Sequence, residues 1–382
     1  MKNTISILSL ILAVFATQAQ NRVVTTGVPF LLITSDARSA GMGEQGVATA
    51  PDAHAQNWNP AKYAFAPYDT GFGVSYTPYL SQLVNDIFLG NITFYNTISD
   101  RSAWSASLKY FSLGEIEIGQ TPQDFINPLI ERPNEFVLDV AYALKLSDYF
   151  SMAVTGAFVN SDLKLDSGNN DDASAASTVA FGVSGYYQSE EIPYSAYAGR
   201  WRAGFNLSNM GPKLSYEEGG QSDYLPTNLK FGGGFDFIFD SYNKLAVSLE
   251  INKLLVPTPS EAITNSEGEI TGYRQPDVSF INGMFRSFGD APDGFSEELK
   301  EFTWALGAEF SYDDSFALRA GYFNESEDKG GRKFLTLGAG FKYNVVDIDL
   351  SYLISATKNI NPLENTLRFS LTFNLGDPQY YY

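Results

Sequence analysis

Apolar and polar residues alternate with a period of two along most of the chain. Between Lys244 and Asn252, the odd-numbered residues 245 to 251 are all apolar, whereas Ser248 and Glu250 lie between them. The run from Leu367 to Leu375 repeats this pattern, with apolar residues at the odd positions and polar residues at the even ones. Strict alternation predicts β-strands that have one apolar face and one polar face.

The same pattern predicts fourteen strands after residue 69. They lie near residues 70–79, 86–98, 102–113, 134–146, 150–165, 177–189, 200–210, 228–239, 243–255, 303–312, 316–324, 334–343, 346–354 and 365–375. The chain is therefore predicted to be all-β.

Short and long connections alternate between these strands. The short ones are 99–101, 147–149, 240–242, 313–315 and 344–345, with 190–199 as a longer exception; the long ones are 114–133, 166–176, 211–227, 256–302, 325–333 and 355–364. Outer-membrane β-barrels show this asymmetry, because their periplasmic turns are short and their surface loops are long. We therefore predict a transmembrane antiparallel barrel with both termini in the periplasm and the long loops outside the cell.

A soluble β-sandwich is the alternative architecture. It would need a second sheet to cover the rows of Phe, Leu, Tyr and Trp on the apolar faces, and it gives no reason for loop lengths to alternate. Aromatic residues near the predicted strand ends fit the interfacial girdles of a barrel. They are Tyr79, Tyr95, Tyr149, Trp201, Trp304, Tyr312, Tyr343 and Tyr352.

The polar faces of the predicted strands carry many charges. These are Lys109, Asp139, Lys145, Arg202, Lys230, Asp236, Glu250, Glu309, Arg319, Lys342, Asp349 and Arg368. Unpaired charges are not stable in a dry core, so we predict a wet lumen or one filled by ion pairs and a polar plug. Structural ion pairing is the default interpretation for each of them.

Composition excludes several classes of function. Aromatic residues make up 15% of the 382 residues, and charged residues make up 18%. The chain has no cysteine, which excludes disulfides and thiolate metal sites. Its net charge of -19 argues against a nucleic-acid partner, since little would neutralise phosphates.

The chain before the first strand falls into two parts. Residues 1–19 resemble a secretory signal peptide, with Lys2 before a short apolar run and a small-residue cleavage site that ends at Ala19. Residues 20–69 show no strand repeat and are rich in glycine and alanine from Asp36 to Ala64. We predict that this part lies inside or beneath the barrel formed by residues 70–382.

Gly41, Gly43 and Gly46 match the dinucleotide-binding pattern G-x-G-x-x-G. That motif works only between a parallel strand and a helix, and neither is predicted here. We interpret these glycines as sites where the backbone packs closely.

Other residues offer weak evidence for chemistry. His54 is the only histidine, and no nucleophile-elbow pattern occurs, so a polar contact is the expected role for this side chain. Asp166, Asp171 and Asp172 lack the spacing of an EF-hand, which leaves loose calcium binding or a solvated turn. No catalytic residue, cofactor or metal site is predicted.

The longest connection, 256–302, combines acidic residues with an apolar group. Its acidic residues include Glu261, Asp290, Glu297 and Glu298. Its candidate partner-binding residues are Phe280, Ile281, Met284, Phe285 and Phe288. Loops of this length are usually functional, so these residues predict either a docking surface or self-packing over the barrel mouth.

The N-terminal part resembles a known family. Asp36-Ala37-Arg38, Gly41-Met42-Gly43 and above all Asn59-Pro60-Ala61 are similar to the start of FadL-like outer-membrane proteins. In that superfamily this region forms a hatch inside a fourteen-stranded barrel, so the resemblance implies that Gly41, Gly43, Gly46, Asn59 and Pro60 belong to a hatch. Over the whole mature chain, the resemblance is to the PorV family, also called LptO.

Resemblance to PorV implies a non-enzymatic component of the type IX secretion system. Such proteins associate with the translocon barrel, capture cargo by its C-terminal signal domain and deliver it to the surface-attachment complex, all within outer-membrane lipid. The wider superfamily implies uptake of long-chain fatty acids or other hydrophobic compounds as the alternative, although the predicted lumen is charged. A lipopolysaccharide-modifying enzyme is a third possibility, for which no nucleophile and base are recognisable.

Overall fold

The computed structural model describes residues 23–118, 129–164, 175–216, 222–265, 270–357 and 361–376. The predicted signal peptide, residues 1–19, lies outside these ranges. The acidic cluster of Asp166, Asp171 and Asp172 also lies outside the described residues.

Fourteen long strands form one sheet. They are β1 (Thr70–Pro78), β2 (Ile87–Ser99), β3 (Ser102–Leu113), β4 (Asn134–Lys145), β5 (Phe150–Asp162), β6 (Ala176–Gln188), β7 (Ala198–Met210), β8 (Asn228–Ile238), β9 (Asn243–Leu254), β10 (Phe302–Tyr312), β11 (Phe316–Asn324), β12 (Lys333–Tyr343), β13 (Val346–Ser355) and β14 (Leu367–Leu375). Each prediction from the alternating pattern corresponds to one of them, with ends that differ by a few residues.

The sheet closes on itself as an antiparallel barrel. Neighbours in sequence pair with each other, and β14 returns to β1 with Leu375 opposite Thr70. Strands β7 and β8 are paired along their length as well, so none of the fourteen is an open edge. A closed ladder satisfies the backbone groups of every strand within the sheet. The predicted fold class, an all-β antiparallel barrel of fourteen strands, is confirmed.

Tight turns join the strands at one end of the barrel. Between β8 and β9, an Asp240 carboxylate oxygen accepts hydrogen bonds from the backbone N–H groups of Tyr242 and Asn243, each at 2.8 Å. Between β12 and β13, Asn344 takes the left-handed conformation, with φ of 53°. Asp and Asn favour such turns because their side chains bond the local backbone and tolerate positive φ.

The two faces of the barrel differ as the alternating pattern predicts. Outward apolar residues such as Val140 and Leu318 are 52% and 65% exposed, whereas inward residues such as Ser105 are buried.

Six of the eight aromatic residues predicted for the girdles are exposed. The prediction is wrong for Tyr95 and Tyr79, because both rings point inward: Tyr95 stacks on Tyr63 at 4.7 Å between ring centroids, and Tyr79 packs against the buried Phe111.

Shorter elements decorate the barrel. Paired short strands are Ile116–Ile118 with Leu129–Glu131, Leu214–Ser215 with Ser222–Asp223, and Glu261–Thr264 with Ile270–Arg274, while Ile192–Pro193 pairs with β7. The helices are α1 (Ala37–Gly41), α2 (Phe280–Arg286) and α3 (Phe295–Glu298), with 3₁₀ turns at Pro29–Leu32, Ala55–Asn57, Pro60–Phe65, Leu299–Glu301 and Glu327–Lys329. Within the described ranges, no helix has the length and apolar character needed to cross a membrane.

Residues 23–69 pack against the inner face of the sheet. The turn at Pro60–Phe65 contacts β2 to β6, and α1 contacts β11 to β14 on the other side. One buried apolar cluster joins Tyr63 and Phe65 to inward residues of β2 to β6, including Tyr186. The core of the protein therefore lies between this N-terminal segment and the wall.

Candidate functional site

Helix α1 is tied down by a buried carboxylate. Asp36 precedes the helix, and its side chain accepts a hydrogen bond from Ser39 N at 2.8 Å, which satisfies a free N–H group of the first turn. The other carboxylate oxygen accepts from the indole N–H of Trp58 at 2.7 Å. Asp36 therefore connects two separate turns of the N-terminal segment.

The first two predicted glycines allow the N-terminal backbone to touch the strands. A Cβ on Gly41 would lie 3.0 Å from Gly338 Cα, and one on Gly43 would lie 3.0 Å from the backbone N and O of Tyr322. Gly43 also has φ of 82°, which strains other L-residues, and its N–H donates to Thr336 Oγ1 at 2.8 Å. Both positions place main chain directly against main chain.

Gly46 belongs to the same stretch but packs against another part of the segment. A Cβ there would overlap the Trp58 indole. The N–H groups of Gly46 and Val47 both donate to one carboxylate oxygen of Glu250, at 2.8 and 2.9 Å. The three glycines lie at the end of α1 and after it, inside an antiparallel barrel, and so lack the geometry of a dinucleotide loop.

Asn59 and Pro60 start the turn that faces β5 and β6. Asn59 is fully buried and caps the turn Pro60–Phe65, accepting from Ala61 N at 3.1 Å. Its amide group donates to Val47 O and to Gly185 O, each at 2.9 Å. One side chain thus fixes the turn, a neighbouring loop of the segment and the wall.

A buried ion network joins the segment to β10, β11 and β13. Arg38 donates to Asp52 at 2.6 Å and, through two nitrogens, to Glu309 at 2.8 and 3.0 Å. Arg319 donates to the same Glu309 at 2.5 Å and to Asp349 at 2.6 Å. Two guanidinium groups and three carboxylates alternate, so every charge has an opposite partner, as a buried cluster requires.

The charges of the segment shift one another's pKa values. The pKa of Lys62 is lowered to about 8, mainly by burial, which the attraction of Asp52 offsets only in part. Burial raises the pKa of Asp52, but Lys62 and Arg38 outweigh it, so that the net shift is downward. Lys62 Nζ donates to Gly46 O and Thr49 Oγ1, each at 3.0 Å, and is held by neutral oxygens rather than by a close carboxylate.

Several inward charges predicted from the sequence are paired. Arg202 donates to Asp236 at 2.7 Å on the neighbouring strand. Arg368 donates to Glu44 at 2.6 Å, and Lys342 donates to the hydroxyl of Tyr68 at 2.8 Å. The partners Arg38, Glu44 and Asp52 were not predicted, because nothing in the alternating pattern of the strands points to residues of the segment.

A polar cavity of about 600 Å³ lies at the end of the lumen where the turns are short. The ion network and the turn residue Asp314 line it, so its walls are charged rather than apolar. His54 also lines this cavity; its Nε2 lies 3.2 Å from Thr372 Oγ1, which fits the polar contact expected for this residue. Within the described parts of the chain, no group of three or more His, Asp or Glu side chains is arranged to hold a metal ion.

The opposite end of the barrel carries the long loop 256–301. Of the five predicted partner-binding residues, Ile281, Phe285 and Phe288 are exposed, whereas Phe280 and Met284 are half-buried. Two residues that the sequence analysis missed, Phe295 and Leu299, are 75% and 54% exposed. Their spacing of four residues was the available signal, since it places both on one side of a helical turn. We call the five exposed residues the apolar loop residues: Ile281, Phe285, Phe288, Phe295 and Leu299.

Beneath the apolar loop residues lies a buried group of charges. Lys253 of β9 donates to Glu298 at 2.6 Å and to Glu301 at 2.8 Å. Lys329 donates to Glu297 at 2.7 Å and to Glu301 at 3.0 Å. We call these five side chains the ionic base; they hold α3 and the following turn against the barrel and the loop after β11.

Comparisons with known proteins agree with this architecture. A family model described as "Type IX secretion system protein PorV" matches residues 16–261. No curated protein matches the chain.

Two solved structures with TM-scores above 0.5 show the same fold at low identity. A TodX deltaS2S3 mutant, a monoaromatic hydrocarbon channel, has 13% identity and a TM-score of 0.53, covering 89% of this chain and 99% of that one. A TodX deltaS2 mutant has 12% identity and a TM-score of 0.52, covering 90% and 99%. The toluene transporter TodX of Pseudomonas putida has 13% identity and a TM-score of 0.49, covering 88% and 96%.

Proposed function

The chain belongs to the PorV family of the type IX secretion system, and from this membership we propose that it is a non-enzymatic carrier for exported proteins. It associates with the translocon barrel, captures cargo by its C-terminal signal domain and delivers the cargo to the surface-attachment complex. It is an outer-membrane barrel, and in our proposal both termini face the periplasm and the long loops face outward.

The observation that carries this proposal is the exposure of the apolar loop residues. Phe285 and Phe295 are each 75% exposed, although burial of a Phe side chain is worth about 1.5–3 kcal/mol. The ionic base holds α3 and the following turn, which carry Phe295 and Leu299, so the exposure of these two side chains is a feature of an ordered surface. Exposed aromatic residues on a fixed scaffold are typical of protein-binding surfaces.

The N-terminal segment has a second role in the proposal. We propose that residues 20–69 form a hatch that closes the lumen. In this proposal Gly41, Gly43, Gly46, Asn59 and Pro60 are the residues that hold the hatch in place. Main-chain contacts at the glycines and the bonds of Asn59 support this role. A closed lumen suits a protein that works at its outer rim.

A pull-down from outer membranes tests the secretion role. The tagged full-length protein should recover the translocon barrel or exported cargo, and the double variant Phe285→Ser/Phe295→Ser should recover several-fold less. Ile263→Ser is a matched control, because Ile263 lies in the same long loop and is 46% exposed but is not one of the apolar loop residues. If the unmodified protein recovers neither partner, the secretion role is wrong; if the double variant recovers both in full, docking does not use these residues.

The alternative function is uptake of long-chain fatty acids or other hydrophobic compounds. The charged walls of the 600 Å³ cavity speak against an apolar route through the lumen. Uptake predicts that the purified protein retains a fatty ligand and that its deletion leaves secretion intact. Cargo that accumulates in the periplasm after deletion would contradict uptake as the main role.

A further inference from the structure

A second, smaller cavity lies inside the barrel between the N-terminal segment and strands β3 to β8. Its volume is about 90 Å³, and its lining includes Lys109, Asp139 and Lys230. Since a water molecule occupies about 30 Å³ in the liquid, the cavity has room for one small polyatomic group. Two ammonium groups and one carboxylate give the lining a net charge of +1.

Among the described residues, neither lysine has a short hydrogen bond to an anion, and only Lys230 has an ion-pair partner, Glu250, at long range. Lys109 Nζ donates only to backbone oxygens in the described chain, those of Ile33 at 3.3 Å and Leu31 at 3.5 Å. Lys230 Nζ lies 3.8 Å from the nearest oxygen of Glu250, and it sits 4.2 Å from the centre of the Trp58 ring. Buried ammonium groups normally have short bonds to an anion, so both have bonding capacity left over.

Asp139 does not supply this missing anion. One of its oxygens accepts a hydrogen bond from Gln56 Nε2, and the other accepts from Ser107 Oγ at 2.9 Å. Its two oxygens are therefore engaged by neutral donors.

Two further donors line the cavity without a partner. Ser35 is 2% exposed, and its hydroxyl makes no hydrogen bond within the described residues. The buried Nδ2 of Asn57 is likewise unpaired among them. A buried polar group without a partner costs about 1–3 kcal/mol, so an acceptor in this cavity would stabilise the protein.

The wall is interrupted beside the cavity. The pairing of β7 with β6 jumps from Leu207 opposite Val183 to Met210 opposite Phe181. Asn209, within this bulge, has φ of 59°. Phe181 is exposed on the outer face and also lines the cavity together with the inward lysines, so the bulge lies between the cavity and the outer face.

We propose that this cavity is a binding site for a small oxyanion, a phosphate or carboxylate group held between Lys109 and Lys230, with Ser35 and Asn57 as further donors. The anion is either free or the headgroup of a lipid that reaches the site through the bulge. The site is independent of the proposed role in secretion, because it lies inside the barrel, away from the apolar loop residues.

Trp58 provides a reporter, because it lines the cavity and contacts Lys230. The other three tryptophans are exposed on the outer face, so the variant Trp104→Phe/Trp201→Phe/Trp304→Phe leaves Trp58 as the only tryptophan, whose emission can be excited selectively over that of the tyrosines. Sodium phosphate and sodium acetate are titrated into this protein in a maltoside detergent, at constant ionic strength set with chloride. In parallel, lipid is extracted from the purified protein and identified by mass spectrometry.

The expected result is a saturable fluorescence change that Lys109→Gln and Lys230→Gln each weaken about tenfold or more, since each removes a charge-assisted bond. Lys300→Gln, which removes an exposed lysine, is the matched control and should bind like the unmodified protein. Saturation without retained lipid identifies a free anion. An anionic lipid that co-purifies with the unmodified protein and is lost from both lysine variants identifies a headgroup.

Two results overturn the proposal. One is a response to phosphate and acetate no larger than that to chloride, together with no retained lipid. The other is unchanged binding, in which Lys109→Gln and Lys230→Gln bind the anion and retain lipid as the unmodified protein does. Heat-modifiable migration in gels shows that each variant is a folded barrel, so that loss of binding is not loss of fold.

Discussion

Removing Lys253 from the ionic base should release the end of the long loop. Lys253 is buried, and its ammonium group bonds Glu298 and Glu301 at 2.6 and 2.8 Å. In Lys253→Met, the apolar stem is largely kept but the charge is lost. The Glu298 carboxylate then stays buried without the Lys253 cation, whereas the Glu301 carboxylate still accepts a hydrogen bond from Lys329 at 3.0 Å.

The magnitude follows from the cost of breaking a buried ion pair, which is about 3–5 kcal/mol. Because Lys329 still compensates one carboxylate, we expect the lower value, about 3 kcal/mol of local stability. At 1.4 kcal/mol for each factor of ten, local opening becomes more frequent by about two orders of magnitude. The barrel itself should be unaffected, because the ladder of β9 does not depend on the Lys253 side chain.

Hydrogen exchange followed by mass spectrometry measures this opening. Amides of residues 290–301 should exchange about a hundredfold faster in Lys253→Met, while those of β9 and β10 should not change. Lys300→Met is the control, because Lys300 lies in the same stretch and its pair with Asp328 is about half exposed. Exposed pairs contribute about 0–1 kcal/mol, so this variant should exchange nearly as the unmodified protein does.

The reasoning is refuted if residues 290–301 exchange at the same rate in Lys253→Met, Lys300→Met and the unmodified protein. It is also refuted if faster exchange spreads evenly over the strands, because the ionic base would then support the whole barrel. The double variant Lys253→Met/Glu298→Gln should recover part of the protection, since it removes the charge that was left unpaired.

Three further changes test the lumen. Glu309→Gln removes the carboxylate that Arg38 and Arg319 share, so two buried guanidinium groups each lose an anionic partner. The permeability of proteoliposomes to small solutes, measured by swelling, should therefore rise. Unchanged swelling would exclude a role of the ion network in closing the lumen. Gly43→Val forces a side chain onto strand backbone at φ of 82° and should have the same effect, whereas Gly156→Val, where a Cβ meets nothing within 4 Å, should not. Burial lowers the pKa of Lys62 to about 8 from an ordinary 10.5, so the unfolded state binds more protons between these values. Stability to urea should therefore rise with pH across that window in the unmodified protein, and the rise should be absent in Lys62→Met.

The barrel could be predicted from sequence because one physical rule acts on every strand. Each strand separates an apolar surface from a polar interior, so the period of two is present in all fourteen, and the predicted 86–98 is found at Ile87–Ser99. The errors have a clear origin. Tyr95 was assigned to a girdle by its aromatic ring, although its odd position places it on the same face as the inward Asn91 and Thr93.

The contacts of the N-terminal segment could not be predicted in the same way. Arg38 and Glu309 are 271 positions apart, and Arg368 and Glu44 are 324 apart. Such pairs carry no periodic signal, since an ion pair requires only that two side chains meet in space. The loop was predicted in part: the apolar stretch from Ile281 to Phe288 was recognised, but Phe295 was overlooked, because it stands among acidic residues, of which the fold buries Glu297 and Glu298.

The distribution of satisfied and exposed groups favours a function at the rim over transport through the lumen. A route through the lumen would have to move Asn59, Asp36 and Arg38, each of which bonds two or more partners inside the barrel. Each buried polar group left unpaired costs about 1–3 kcal/mol. The interactions of a passing solute with the lumen would have to offset several such losses at once. The apolar loop residues are already exposed, and a partner that covers them gains contact area without disturbing any of these bonds. We therefore expect capture at the rim to proceed with the N-terminal segment in place, and crosslinking that segment to the wall should leave recovery of cargo unchanged.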